Sequence, residues 1–286
     1  MKNNVTPVIE IPTTIDIEAA NDPISPQEYE VVKLISEKIV EHSCMQNAID
    51  LVDEVIALNK AHSEPRHLLV IGDPGCGKST LCDAIADRYG VFDDTFKLGI
   101  QRHVGALMVS VPSPVTPRSM AAEMLRAIGV ARNLNGTTRE LSEELIGHLK
   151  RCEVRVVVLD EFQHLLSVGE NKPLHTSKQL REVQDWIKSI IVKSGVTFVL
   201  IGLPISMALI QSEPQLARRF NRVFRLQSFP YPFDDDPGEL GAFADDLLVH
   251  AIAKSSQIDG CISFHNNLDY AVRLHAATKG VPSAIK

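Results

Sequence analysis

Positive charge is in short supply along this chain of 286 residues, where 36 Asp and Glu outnumber 29 Lys and Arg and leave a formal net charge of −7. That balance excludes a protein that coats nucleic acid by bulk charge. Any such contact must come from a few placed Arg and Lys residues, repeated by oligomerisation. Paired cysteines are missing as well. The five present, Cys44, Cys76, Cys82, Cys152 and Cys261, are odd in number, scattered and without C-x-x-C spacing. They argue for reduced thiols and against a disulfide framework or a zinc site. No apolar run approaches the ~20 residues of a membrane span, and the first residues lack the charged and apolar regions of a secretion signal. A soluble cytoplasmic protein is expected. What remains is ordinary globular composition, 44% hydrophobic and 23% charged, with length for one good core and a smaller second one.

Against that background one stretch stands out. His67-Leu68-Leu69-Val70-Ile71 is a short apolar run that ends in Gly72-Asp73-Pro74-Gly75-Cys76-Gly77-Lys78-Ser79-Thr80 and continues directly into the helical pattern Leu81–Arg88. Strand, loop and helix in that order are the context in which G-x-x-x-x-G-K-[ST] cradles phosphate. Glycines at 72, 75 and 77 let successive backbone N–H groups converge on one anion, and the dipole of the following helix favours the same charge. Lys78 is expected to reach the β/γ-phosphates of ATP, and the Ser79 hydroxyl to ligate Mg²⁺. Cys76, inside the loop, reads as a small filler.

Around this stretch the chain alternates helices and strands. Residues 1–25 read as an extended or disordered arm, and 26–62 as two N-terminal helices that pack on a nucleotide domain spanning 63–230. A polar connector follows the phosphate-loop helix near Gly90 and leads to a buried strand over 105–111. After the breaker Pro112-Ser113-Pro114-Val115-Thr116-Pro117, helices are expected around Met120–Ile128 and Thr137–Leu149. A long helix over 174–193 carries Leu180, Val183, Trp186, Ile187, Ile190 and Ile191 as its apolar stripe. The fully apolar strand 196–202 implies a parallel sheet covered on both faces. A last strand lies at Val223–Leu226. From Tyr231 the pattern is helical only, at 239–254, 266–278 and from Pro282. Residues 231–286 therefore read as a small helical lid, cut short.

A second chemical landmark is Val154-Arg155-Val156-Val157-Val158-Leu159-Asp160-Glu161, about eighty residues after the phosphate loop. An apolar strand ending in Asp-Glu places the first carboxylate, Asp160, beside Mg²⁺ and the second, Glu161, where it can polarise an attacking water. The pair Arg218-Arg219, after a short helix, has two readings. It is either a basic helix C-terminus that complements its dipole or an arginine finger for a nucleotide bound by a neighbouring subunit.

The order of these elements resembles the AAA+ ATPases over roughly residues 45–286. Four stretches, "VIGDPGCGKST", "VVLDEFQHLL", "FVLIGLP" and "SEPQLARRF", look like the TniB/TnsC family of bacterial transposition regulators. The resemblance implies an α/β fold of ASCE type with a parallel five-stranded sheet and a small C-terminal helical lid. It also implies an ATPase that uses ATP and Mg²⁺ and assembles as a ring or helical homo-oligomer on double-stranded DNA. Its expected partners are a DDE transposase and a TniQ-type targeting protein. Carried over, Lys78 and Ser79 form the Walker A pair, Asp160 and Glu161 the Walker B pair, and Arg218 or Arg219 is the trans-acting finger. In that family the stretch after the second strand contacts DNA, which points to Thr116, Arg118 and Arg126 on backbone phosphates. Two positions depart from the AAA+ pattern. The strand before Pro204 ends in Gly202-Leu203, where a polar sensor residue is common, and no Arg stands near Ala284. Both favour a slow ATPase that acts as a nucleotide-gated assembly switch. The other readings are a STAND-like signalling switch that acts on a protein without DNA, and a P-loop small-molecule kinase. The kinase is disfavoured because the lid and the Arg pair have no need of a phosphoryl acceptor.

Overall fold

The computed structural model describes residues 33–35, 40, 42–61, 65–96, 99–130, 134–169, 178–232, 238–254 and 266–285. The expected arm over 1–25 and most of the first expected helix lie outside them, with only Lys33–Ile35 described as helical. Helix α1 (Ser43–Ala61) leads into strand β1 (Leu68–Gly72), the phosphate loop and helix α2 (Lys78–Tyr89). Strands β2 (Val91–Phe96) and β3 (Gly99–Val104) form an antiparallel pair, followed by β4 (Ala106–Ser110). Helices α3 (Pro117–Ile128) and α4 (Thr138–Arg151) precede β5 (Val156–Asp160) and a 3₁₀ segment over Phe162–Gly169. Next come α5 (Lys178–Ser194), β6 (Thr197–Gly202), the short helices α6 (Ser206–Gln211) and α7 (Pro214–Arg219), and β7 (Arg222–Leu226). Helices α8 (Gly238–Lys254), α9 (Leu268–Thr278) and α10 (Pro282–Ile285) complete the described chain.

Five strands form one parallel sheet in the order β4-β5-β6-β1-β7. Strand β6 therefore stands between the strand of the phosphate loop and the strand that ends in Asp160. Strands β1 and β6 are buried along their whole length, and β5 up to Asp160, because helices cover both faces. Alternate residues sort to the two sides. Leu69, Ile71, Leu107, Val157, Leu159, Phe198 and Leu200 face a core shared with α3, α4 and α5. Leu68, Val70, Val156, Val158, Val199 and Ile201 face a second core made with α1 and α2. Strand β7 alternates half-buried and exposed residues up to the buried Leu226, as befits a sheet edge. A third, smaller core joins Val40 and Phe229 to Leu240, Phe243 and Leu247 of α8, and it holds the helical lid to the rest.

Residues 91–104 differ from expectation, because the polar connector is a β-hairpin whose register runs from Val91↔Val104 to Phe96↔Gly99. The physical reason is local cross-strand pairing. Phe92 faces His103 across the pair, and the two rings stack at 4.7 Å with an interplanar angle of 5°. Polar residues at Asp93 and Asp94 mask the strand in a search for apolar runs.

Candidate functional site

The C-terminal ends of β1, β5 and β6 meet where the strand order changes direction, which is where open α/β sheets bind ligands. Ile71 pairs with Gly202, and Ser110 with Asp160, so the phosphate loop, the Asp160-Glu161 corner and the end of β6 share one rim of the sheet. The loop backbone takes the shape its glycines permit, with φ of 82° at Gly75 and 88° at Gly77. Helix α2 starts at Lys78 without any side-chain cap, so its first N–H groups are left for an anion. The Lys78 ammonium rests on the Gly72 and Asp73 carbonyl oxygens, at 2.9 Å each. Cys76 is buried behind the loop, and burial raises its thiol pKa. It is packing material, as its position suggests.

A cavity of about 510 Å³ opens over the loop. Pro74, Gly75, Gly77, Lys78, Ser79, Thr80 and Glu161 line it, together with Gln163 and Leu203. Its other end is apolar. His42 and Met45 at the start of α1 and Phe243 of α8 stand there, and the His42 ring packs edge-on against Phe229 and Phe243 at 5.0 and 6.0 Å. Burial lowers the pKa of His42, which keeps this end uncharged. The lid closes the cavity from a third side, where the Ser283 N–H donates to the Gly75 carbonyl at 3.2 Å.

Asp160 sits behind this lining and shares a hydrogen bond with the Cys82 thiol. Burial raises its pKa, with the Glu161 charge adding to the effect, while the Glu161 N–H, 2.8 Å from Asp160 Oδ1, and Lys78 oppose it. Glu161 has a left-handed backbone, φ 57°. For a residue with a Cβ that conformation is costly and marks a position held by its surroundings. The residues present fit a nucleoside triphosphate with Mg²⁺. They offer a nest of N–H groups, one ammonium, a hydroxyl at Ser79, a carboxylate at Asp160 and an apolar end for a flat base. No group of three or more His, Cys, Asp or Glu that could hold a metal occurs among the described residues. Mg²⁺ needs none, since it is commonly held by one or two protein oxygens together with substrate phosphates.

The other expected residues lie elsewhere. Arg218 and Arg219 end α7, and the Arg219 carbonyl accepts from the His67 N–H at 2.9 Å. His67 precedes β1, so the Arg pair stands at the opposite end of that strand from Gly72, about 17 Å away along five residues. The backbone of the pair thus lies far from its own phosphate loop. Thr116 is the N-cap of α3, and it shares a capping box with Ser119. Arg118 donates to the carbonyls of Leu134 and Gly136, both at 3.1 Å, and Arg126 pairs with Glu123 at 2.9 Å. All three belong to α3 or its N-cap, and α3 packs against β4. The sequence reasoning missed His42, Met45, Gln163, Phe243 and Ser283. Only Gln163 carried a signal, as part of the Asp-Glu-x-x-His-Leu run.

Sheet order, phosphate loop and helical lid together define the fold of an AAA+ ATPase. The family described as "Bacterial TniB protein" matches residues 31–230, well over half of the chain. The chain belongs to the TniB family. Among solved structures, the ORC2 protein of Aeropyrum pernix in ADPNP-ADP complexes is similar, with a TM-score of 0.53 at 14% identity over 76% of this chain and 55% of that one. The ORC1 protein of the same organism, in complex with DNA, gives 0.51 at 17% identity over 91% of this chain and 61% of that one. This chain thus spans little more than half the length of either, and the likeness is one of fold. No curated protein matches it. No helix among the described residues is long and apolar enough to cross a membrane.

Proposed function

We propose that this protein is an ATP-dependent regulator of DNA transposition that assembles on double-stranded target DNA and recruits or activates a transposase. The observation that carries the reading is a divided site. The phosphate loop, Asp160 and Glu161 stand at one end of β1, and Arg218 and Arg219 at the other. A second copy of the chain must supply the arginine, so turnover requires assembly. In the bound state Mg²⁺ would supply charge neutralisation on the phosphates, held by Ser79 and Asp160. Gly72, Asp73, Pro74, Gly75, Cys76, Gly77, Lys78, Ser79 and Thr80 would form the cradle. Glu161 would take the proton of the attacking water, and a neighbour's Arg218 or Arg219 would stabilise the transferred charge. Without an arginine at Ala284 or a polar side chain at Gly202, turnover is slow and its purpose is to time assembly.

In this reading, residues 1–25 form the arm, 26–62 the N-terminal helices, 63–230 the ATPase domain and 231–286 the lid. The protein works in the bacterial cytoplasm with a DDE transposase and a TniQ-type partner. Thr116, Arg118 and Arg126 flank a DNA path along backbone phosphates. Family membership supports this, and a fold relative is a protein in complex with DNA.

One specific observation favours a second reading, a nucleotide switch that acts on a protein partner. Arg118 and Arg126 already have intramolecular partners. Sedimentation with a non-hydrolysable ATP analogue and duplex DNA decides between them. Wild-type protein is expected to form large assemblies only with both ligands, and to release them as salt rises, by counterion release. Lys78→Ala should abolish nucleotide binding and assembly together, whereas Glu161→Gln should keep assembly and stop turnover. A protein that stays monomeric with both ligands, or an ATPase indifferent to DNA, would sink the transposition reading.

A further inference from the structure

The end of β6 carries no polar side chain of its own, yet a polar group stands there. Gln163, near the start of the 3₁₀ segment after β5, reaches across the sheet rim. Its carbonyl oxygen accepts from the Leu203 N–H at 3.0 Å. Its amide nitrogen donates to Glu161 Oε2. A Cβ on Gly202 would stand 2.8 Å from that carbonyl oxygen and 2.5 Å from Ser206 Oγ. A side chain at 202 and the observed Gln163 rotamer therefore exclude each other. Glu161, Gln163 and Leu203 all line the phosphate-loop cavity. His164 Nε2 lies 3.8 Å from the same Glu161 oxygen, beyond hydrogen-bond range. The Gln163 amide thus donates directly to the carboxylate, while the His164 ring stands farther off as a longer-range partner. It acts on a residue whose left-handed backbone already limits its freedom.

We propose that Gln163 is the positioning residue of this site. It ties the Glu161 carboxylate to the backbone at the end of β6, and so substitutes from the 3₁₀ segment after β5 for the polar side chain that β6 lacks. The strand between the two halves of the nucleotide site then reports to the base through one amide. This assignment rests on the ATPase reading above. It explains why Gly202 and Gln163 occur together: the glycine leaves the room that the glutamine fills.

The two bonds have opposite polarity, which makes them separable. Gln163→Glu keeps an acceptor for the Leu203 N–H but loses the donor, and sets a second carboxylate against Glu161. Gln163→Ala loses both bonds. Three measurements on the full-length protein test this: steady-state ATPase with duplex DNA, affinity for a fluorescent non-hydrolysable ATP analogue, and amide hydrogen exchange of the peptide containing Leu203 without nucleotide. Both variants are expected to bind the analogue within about twofold of wild type and to lose kcat by about 10- to 100-fold, the range for partners that orient a reacting group. Leu203 should exchange faster in Gln163→Ala and stay protected in Gln163→Glu. The assignment is overturned if Gln163→Glu turns over at the wild-type rate, if Gln163→Ala leaves Leu203 exchange unchanged, or if both variants lose analogue binding in step with turnover. A wild-type protein that neither binds nor hydrolyses nucleotide overturns the ATPase reading itself, and wild-type turnover beside an undiminished Gln163→Glu overturns only the role of Gln163.

Discussion

His67 is fully buried between the rings of Phe198 and Phe220, at 6.0 and 5.1 Å, and its Nδ1 accepts from the Phe198 N–H at 3.1 Å. Burial, with the Arg219 charge adding to it, lowers its pKa from about 6.5 to about 3. In the folded chain it stays neutral until near pH 3, whereas the unfolded chain protonates it near 6.5. Between those values the unfolded state binds more protons, so stability falls as pH falls. The slope is at most about 1.4 kcal/mol per pH unit, and above 6.5 the effect vanishes. Denaturant unfolding at several pH values between about 4 and 6 should show this slope, and His67→Gln, which keeps an acceptor without the titration, should flatten it. Coincident slopes in the two proteins would assign the acid sensitivity to other groups. At this scale the sequence was generous for Lys78, Ser79, Asp160 and Glu161, whose motifs carry their chemistry in local order. It was silent on His67, whose role depends on two rings that reach it from β6 and the end of α7.

Between elements, the contact that matters most is that of the phosphate loop with the lid. Gly75, at φ 82°, has no space for a side chain: a Cβ would stand 2.3 Å from Ser283 Oγ and 2.7 Å from Val281 Cγ1. The lid in turn is anchored where the Phe229 N–H meets the Gly280 carbonyl at 2.8 Å. Gly75→Ala is expected to cost about 1–2 kcal/mol from the left-handed backbone alone and to push α10 off the loop. Calorimetry should register a lower Tm, and ATP affinity should drop. Adding Ser283→Ala should recover part of the affinity, whereas a single variant that binds ATP as wild type does would mean the contact is incidental. The helices and sheet strands were legible because their apolar spacing is a local property. The β2-β3 hairpin was not, since its pairing is cross-strand and its residues alternate with acids.

For the whole molecule, the question is where the second half of the catalytic site comes from. Arg218 and Arg219 are separated from their own phosphate loop by the length of β1, and in the proposed function a neighbouring copy brings them to it. Arg218→Ala or Arg219→Ala, whichever is the finger, should lower turnover by about 10²–10³-fold while leaving ATP binding intact. Mixing that variant with Glu161→Gln, which is expected to assemble without turnover, should restore part of the activity, because one protein supplies the intact loop and base and the other the arginine. Two inactive proteins that stay inactive together, under conditions where both assemble, would place the completing group elsewhere.

The candidate phosphate cradle, the acidic pair and most of the strands and helices were written into the chain, because each depends on residues close in sequence. Tertiary structure alone decided the rest. Placing β6 between β1 and β5 brought Gly202 and Leu203 to Gln163, so that a polar side chain from across the sheet stands at the end of β6. Running β7 beside β1 set the Arg pair at the far rim, at the opposite end of β1 from the phosphate loop. Both outcomes rest on strand order, a long-range choice made by burying two faces of one sheet at once, and no local pattern encodes it.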